Sequence, residues 1–173
     1  MDIFCEFIVK KKFGVMDFLK LIGLSSAAVI LALVILFVSS PFLGSGIGML
    51  LAAGVIYLAY ILSKGLFVEF EYALTNNELD VDKIFAKSKR KRVITIDFKN
   101  IEICANINDE KYSHEYKNIA SITKRLDLTG VCDYDIYFVD FAGENGKTRV
   151  LFQPTDKMKD AMKLINPRFI HIS

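Results

Sequence analysis

Leu21–Ser63, LIGLSSAAVILALVILFVSSPFLGSGIGMLLAAGVIYLAYILS, is a run of 43 residues without one Asp, Glu, Lys, Arg or His. About 20 apolar residues cross a hydrocarbon core of about 30 Å, so the run is too long for one span and suits two. The break is expected near its middle, where Ser39-Ser40-Pro41-Phe42-Leu43-Gly44-Ser45-Gly46 collects a proline and two glycines. The reading places one helix at about 21–41 and a second at about 46–63. A cleaved signal peptide fits poorly, because the apolar run is too long and a second span follows.

Outward from this stretch the composition changes. The whole chain is 53% hydrophobic with a mean hydropathy of +0.35, above a soluble domain of 173 residues, yet the excess lies almost wholly inside the run. Three divisions follow: an N-terminal segment 1–20, a transmembrane hairpin 21–63 and a folded domain 66–173. Lys10, Lys11, Lys12 and Lys20 precede the hairpin, Lys64 follows it, and the loop between the spans carries no charge. The excess of lysine on that side puts both termini in the cytoplasm, with the protein in the inner, cytoplasmic membrane. Tyr57 and Tyr60 suit the interfacial level at the inner end of the second span.

Gly44, Gly48 and Ala52 recur every four residues, as do Ala28 and Ala32, which lets helix backbones approach closely in lipid. Packing within the hairpin and self-association of two copies both use such a face. Neither span holds an ionisable residue, so the usual chemistry of an ion path or transport site is missing, and the hairpin reads as an anchor. Two readings of residues 1–20 stand side by side. Ile3, Phe4, Phe7, Ile8, Phe13, Phe18 and Leu19 around the three lysines suit a short helix on the inner leaflet, or the segment is a plain flank that sets orientation.

From Phe67 the apolar period becomes two, the signature of half-buried strands. Val68, Phe70, Tyr72 and Leu74 lead into a turn at Thr75-Asn76-Asn77, after which Leu79, Val81 and Phe85 face one way. Further strands are read at Val93–Phe98 and about Ile101–Ile107. Residues 108–133 carry the weakest pattern; Ile119–Leu128 fits a strand or a short helix, with a strand favoured. Tyr134–Ala142 and Lys147–Gln153 form a hairpin about Glu144-Asn145-Gly146. Thr155 then caps a helix with Met158, Ala161, Met162 and Ile165 on one face and Pro167 beyond its end. Six or seven antiparallel strands and one amphipathic C-terminal helix make a mainly-β, α+β domain, in the order of a pleckstrin-homology-like (PH-like) antiparallel β-barrel.

Phe70-Glu71-Tyr72-Ala73-Leu74-Thr75-Asn76-Asn77-Glu78-Leu79, followed by Ile96-Asp97-Phe98-Lys99-Asn100-Ile101, resembles the opening strands of bacterial PH-like membrane proteins. Asp2-Ile3-Phe4-Cys5-Glu6, Ile8-Val9-Lys10-Lys11-Lys12 and Val150-Leu151-Phe152-Gln153-Pro154 are similar to a small family of two-span bacterial membrane proteins with such a cytoplasmic domain. The resemblance implies the fold and carries no catalytic or ligand residue.

The residues that bear on function are few. Lys87, Lys89, Arg90, Lys91 and Arg92 put five basic side chains in six positions at a hairpin tip. A strand leaving the membrane near residue 66 runs outward for roughly 26 Å at 3.3 Å per residue, and its partner returns, so the tip comes back toward the bilayer. Five cations near anionic headgroups offer up to about 5 kcal/mol before entropy is deducted. The alternatives are a solvated turn whose charges discourage edge pairing, nonspecific anionic-lipid contact, and a phosphoinositide-like headgroup site. Residues 65–173 hold 17 basic and 17 acidic residues, which does not indicate a nucleic-acid binder.

Cys5, Cys104 and Cys132 lack metal or disulfide spacing, and no cofactor or metal is expected. No hydrolase, P-loop or zincin motif occurs, and Ser113-His114-Glu115, as neighbours along one strand, cannot converge. The reading is a non-enzymatic scaffold that binds an unidentified protein partner, by one route through an exposed strand edge. A lipid-contacting or lipid-sensing module is the alternative.

Overall fold

The computed structural model describes residues 3–143 and 145–172, and for residues 40–45 the backbone alone. The chain divides into two compact units, one of residues 13–68 and 85–88, the other of residues 1–12, 69–84 and 89–173.

In the first unit the backbone is helical from Val15 to Lys64. It begins after Gly14, whose N–H donates to the Asp17 carboxylate at 3.3 Å, so the helix starts a turn and a half before the uncharged run. Residues nine apart in a straight helix would be separated by about 13.5 Å along its axis. Here a Cβ built on Gly48 would coincide with the Ser39 hydroxyl, and the glycine is what permits that approach. The helix therefore folds back as two antiparallel arms, α1 (Val15–Ser39) and α2 (Gly46–Lys64), with mean hydropathies of 2.8 and 2.0. Both are long and apolar enough to cross a membrane, and 11% of each apolar window is buried. Ala28, Ala32, Ser39 and Ala52 are buried along the seam. The expected break at Ser39–Gly46 falls between the arms, and the Gly44 side of it lies outside the described side chains.

The second unit holds ten strands among the described residues: β1 (Phe4–Lys11), β2 (Val68–Thr75), β3 (Glu78–Phe85), β4 (Lys89–Asp97), β5 (Ile101–Asn106), β6 (Lys124–Asp127), β7 (Gly130–Val131), β8 (Tyr137–Gly143), β9 (Gly146–Phe152) and β10 (Ile170–His171). They form two open five-stranded sheets, ordered β4-β3-β2-β1-β7 and β10-β5-β8-β9-β6. The expected closed antiparallel barrel is not seen among the described residues: both sheets are open, and two pairings, β5 with β10 and β6 with β9, are parallel. Asp97 turns the chain from one sheet to the other. Its carboxylate accepts from Lys99 N, Asn77 Nδ2 and Asn100 Nδ2 at 2.7–3.0 Å, bonds that hold its pKa below the usual carboxylate value.

The N-terminal segment departs from both expectations. Residues 4–11 are neither a membrane-surface helix nor a free flank but a strand, antiparallel to β2 from Phe4↔Thr75 to Lys10↔Glu69. Cys5 and Val9 are buried in the core, whereas Phe4 and Ile8 are exposed on the other face. Those two outward apolar residues blur the alternation that marks a strand.

Between the sheets Tyr72 is fully buried, its ring edge-on to Phe152 at 6.3 Å and its hydroxyl donating to Leu128 O at 2.6 Å. The C-terminal helix forms as expected, Asp156–Ile165, with Thr155 Oγ1 accepting from Met158 N at 3.3 Å and Met158, Ala161 and Met162 buried. The weakly patterned stretch holds a short helix α3 (Ser113–Lys117) as well as β6 and β7, so only part of the favoured strand at 119–128 forms. Numbering on, the C-terminal helix is α4.

At the β3–β4 turn Ala86 and Lys87 both take positive φ, 51° and 58°, and Ser88 N donates to Phe85 O at 3.0 Å. Paired positive φ values suit the twist of a two-residue hairpin loop, but each costs a residue with a Cβ about 1–2 kcal/mol. Ala86→Gly is therefore expected to raise stability by up to about 1 kcal/mol, less than the full relief because glycine is freer when unfolded. Chemical denaturation of the full chain in detergent micelles measures it.

Candidate functional site

The basic run is not one free cluster. Lys87 lies in the turn, while Lys89, Arg90, Lys91 and Arg92 begin β4. Ala86 N donates to Phe67 O at 3.2 Å, so this turn sits against the segment that leaves α2 at Lys64. Arg92 forms ion pairs with Asp80 and Asp82, and Thr95 Oγ1 donates to Asp80 Oδ1 at 2.6 Å. Hydrogen bonding to Asp82 raises the Arg92 pKa further. Arg90 Nη1 lies 3.1 Å from Glu71 Oε2. Two of the five cations are thus neutralised within the sheet. Among the described residues, Lys87, Lys89 and Lys91 have no such carboxylate partner.

Glu71 is an unusual member of this face. It is 3% exposed, and neither carboxylate oxygen has a well-aligned hydrogen-bond partner among the described residues. Burial first, then the nearby Glu6 carboxyl, raise its pKa above the ordinary 4.5, and Arg90 offsets part of this. The second sheet contains the opposite case. Asp140 and Arg149 face one another across β8 and β9, both nearly fully buried, in a bidentate pair with both contacts at 2.7 Å. Arg149 also donates to Tyr116 O at 2.5 Å and Glu115 O at 2.8 Å, and its guanidinium stacks 4.9 Å from the Phe138 ring centroid.

This pair ties α3 onto the sheet, over a cluster of Ala105, Phe138 and Leu151 joined by Tyr112 and Tyr116. Ser113, His114 and Glu115 lie on that helix, not on a strand, and consecutive helical residues still cannot converge. His171 belongs to β10 and stacks on Tyr112 at 4.3 Å. Cys5 and Cys104 are buried and Cys132 half-buried, all unpaired, and burial pushes the Cys104 thiol up. Among the described residues no group of three His, Cys, Asp or Glu could hold a metal ion.

A second feature lies beside β4. Val93, Ile94 and Thr95 form one wall of a cleft of ≈ 430 Å³, and Lys124 with the Phe141–Gly143 end of β8 forms the other. Gly146 closes the hairpin there at φ 115°, where a Cβ would run into the Thr123 hydroxyl. Sequence reading missed this cleft, because its walls come from strands far apart in the chain. It also missed the Asp140–Arg149 pair, although a signal existed. Opposite charges on the two strands of a legible hairpin were that signal, although a loop of Asn145-Gly146 alone would set Asp140 opposite Leu151, and the observed register, with Gly143 opposite Gly146, sets it opposite Arg149.

With this geometry in view, residues 1–172 match the family model described as "Bacterial PH-like domain (DUF6106)". The chain belongs to this family. No curated protein and no solved structure matches it. The match begins ahead of β1 and runs through both helices to the C-terminal strand, so the helical hairpin is an insertion between the first two strands of the PH-like domain. The small-residue positions Ala28, Ala32, Gly48 and Ala52 lie on the buried seam of that insertion, and Gly44 lies outside the described side chains.

Two measurements test the buried charges. Arg149→Met is expected to cost about 3 kcal/mol in chemical denaturation by leaving the buried Asp140 with only the longer Lys147 contact at 3.7 Å, with much of that recovered in Arg149→Met/Asp140→Leu. Between 4.5 and its raised pKa, Glu71 holds a proton in the folded chain that the unfolded chain has released. Stability should therefore fall as pH rises through this window, and Glu71→Gln should flatten that slope.

Proposed function

We propose that the protein is a non-enzymatic, membrane-anchored interaction module that presents its PH-like domain at the inner face of the cytoplasmic membrane and binds a protein partner there. One observation carries the anchoring: two adjacent apolar arms whose surface is almost wholly unburied. Such surface is costly in water at about 25 cal/mol per Å² and costs nothing in lipid. Pairing of Lys10 with Glu69 in one sheet supports the reading that both flanks of the hairpin lie on one side. The lysines at 10–12, 20 and 64 favour the cytoplasm for that side.

The interaction role rests on how the domain uses its polar groups. Asp140, Arg149, Gln153 and Tyr72 are engaged in holding strands and loops together. The open β4 edge and its cleft remain available as a recognition surface. A second reading, anionic-lipid contact through Lys87, Lys89 and Lys91, is favoured by the bond between the β3–β4 turn and the segment that follows α2.

The full chain is expected in the membrane pellet after alkaline washing, and crosslinking in intact cells is expected to capture another protein. Release into the supernatant would end the anchoring claim, and recovery of lipid and self alone would end the scaffold. For the second reading, Lys87→Gln/Lys89→Gln/Lys91→Gln should lower docking of full-chain nanodiscs to phosphatidylglycerol vesicles. The segment 66–173 alone is a poor reagent for either test, because it lacks β1.

A further inference from the structure

β4 ends its sheet, pairing among the described strands with β3 alone, so one row of its backbone N–H and C=O groups points away from the ladder. Over nine residues this edge is roughly 30 Å long at 3.3 Å per residue. The space beside it is the ≈ 430 Å³ cleft, within the range of about 300–1,000 Å³ usual for ligand sites.

Among the described residues, the charges near this edge that lack an opposite partner are lysines. Arg90 and Arg92 are held by Glu71, Asp80 and Asp82, while Lys89 and Lys91 at the start of β4 and Lys124 at the cleft wall are exposed. No carboxylate lines the cleft among the described residues. A second copy joining in parallel through its own β4 would set lysine against lysine, which disfavours that pairing, and in the full antiparallel register Lys89 would meet Asp97, whose carboxylate is already held by Asn77, Lys99 N and Asn100. An exposed edge carrying lysines is protected from its own kind and attractive to an acidic strand.

We propose that the β4 edge and its cleft receive an extended acidic segment of a partner protein, which adds as a strand next to β4 and places its carboxylates toward Lys89, Lys91 and Lys124. The proposal rests on the interaction-module reading and names the partner chemistry for it. Backbone hydrogen bonds supply the affinity, the lysines select sign, and the cleft accepts side chains from one face of the added strand.

The test uses the full chain in phosphatidylcholine nanodiscs and fluorescein-labelled octapeptides of alternating Glu-Val, Lys-Val and Glu-Pro. Glu-Val peptide should bind, Lys-Val should not, and Glu-Pro, which lacks the N–H groups a strand needs, should bind at least tenfold more weakly. Lys89→Glu/Lys91→Glu should weaken Glu-Val binding tenfold or more. So should Ala142→Tyr, which fills the cleft at an exposed position and leaves the charges alone. Amide hydrogen exchange at 89–97 should slow on binding, and exchange in β1 and β2 should not.

Equal binding of Glu-Pro, absence of Glu-Val binding, or protection elsewhere would overturn the proposal. It would also be overturned if the two lysines proved to be needed for phosphatidylglycerol vesicles and not for peptide. A protein captured in cells equally well by the Ala142→Tyr chain would overturn the edge site and leave the interaction module standing, whereas failure to capture any protein would remove both.

Discussion

The ladder between β1 and β2 is the constraint on which the rest depends. Seven residue pairs, from Phe4↔Thr75 to Lys10↔Glu69, join strands that are separated in sequence by the whole helical hairpin. Closing such a connection has an entropic cost that grows slowly with its length. The hairpin reduces the freedom of that connection by folding back on itself along Ala28, Ala32, Ser39 and Ala52. Its two ends meet independently of the ladder, with Phe13 stacked on Phe67 at 5.5 Å. The strand ladder and the small-residue seam thus demand the same closure, and each makes the other less costly to form.

That arrangement gives the helical hairpin a structural role within the sheet. In a protein tethered by a terminal helix, the soluble domain could fold without its anchor. Here the hairpin lies between adjacent strands of one sheet, and removing everything before residue 66 removes β1 as well, leaving β2 and β7 without a partner that each has in the intact chain. Folding of the sheet and placement of the arms are coupled through the chain itself.

Electrostatics in the domain is local. Residues 65–173 are neutral in sum, yet the fold sorts their charges into three environments. Asp140 and Arg149 are sealed between β8–β9 and α3, where satisfied hydrogen bonds offset the cost of burying them. Arg90 and Arg92 are drawn onto the carboxylates of β2 and β3, and Lys87, Lys89, Lys91 and Lys124 stay in solvent. The six-residue basic run is therefore two different things on alternate residues, as the two faces of a strand require.

Whatever depends on local pattern was legible in the residues. The length of the uncharged run set two membrane-competent helices, Asn76-Asn77 and Asn145-Gly146 marked hairpins, and Thr155 marked the start of α4. Each is decided within a few neighbours, by solvation or by turn geometry. Tertiary structure alone decided that residues 4–11 complete a sheet, that Arg149 draws α3 down by its carbonyls, and that β4 is left with an open edge beside a cleft. Those features arise from pairing between distant segments, whose energy depends on which strand lies beside which, and periodicity along the chain does not encode that choice.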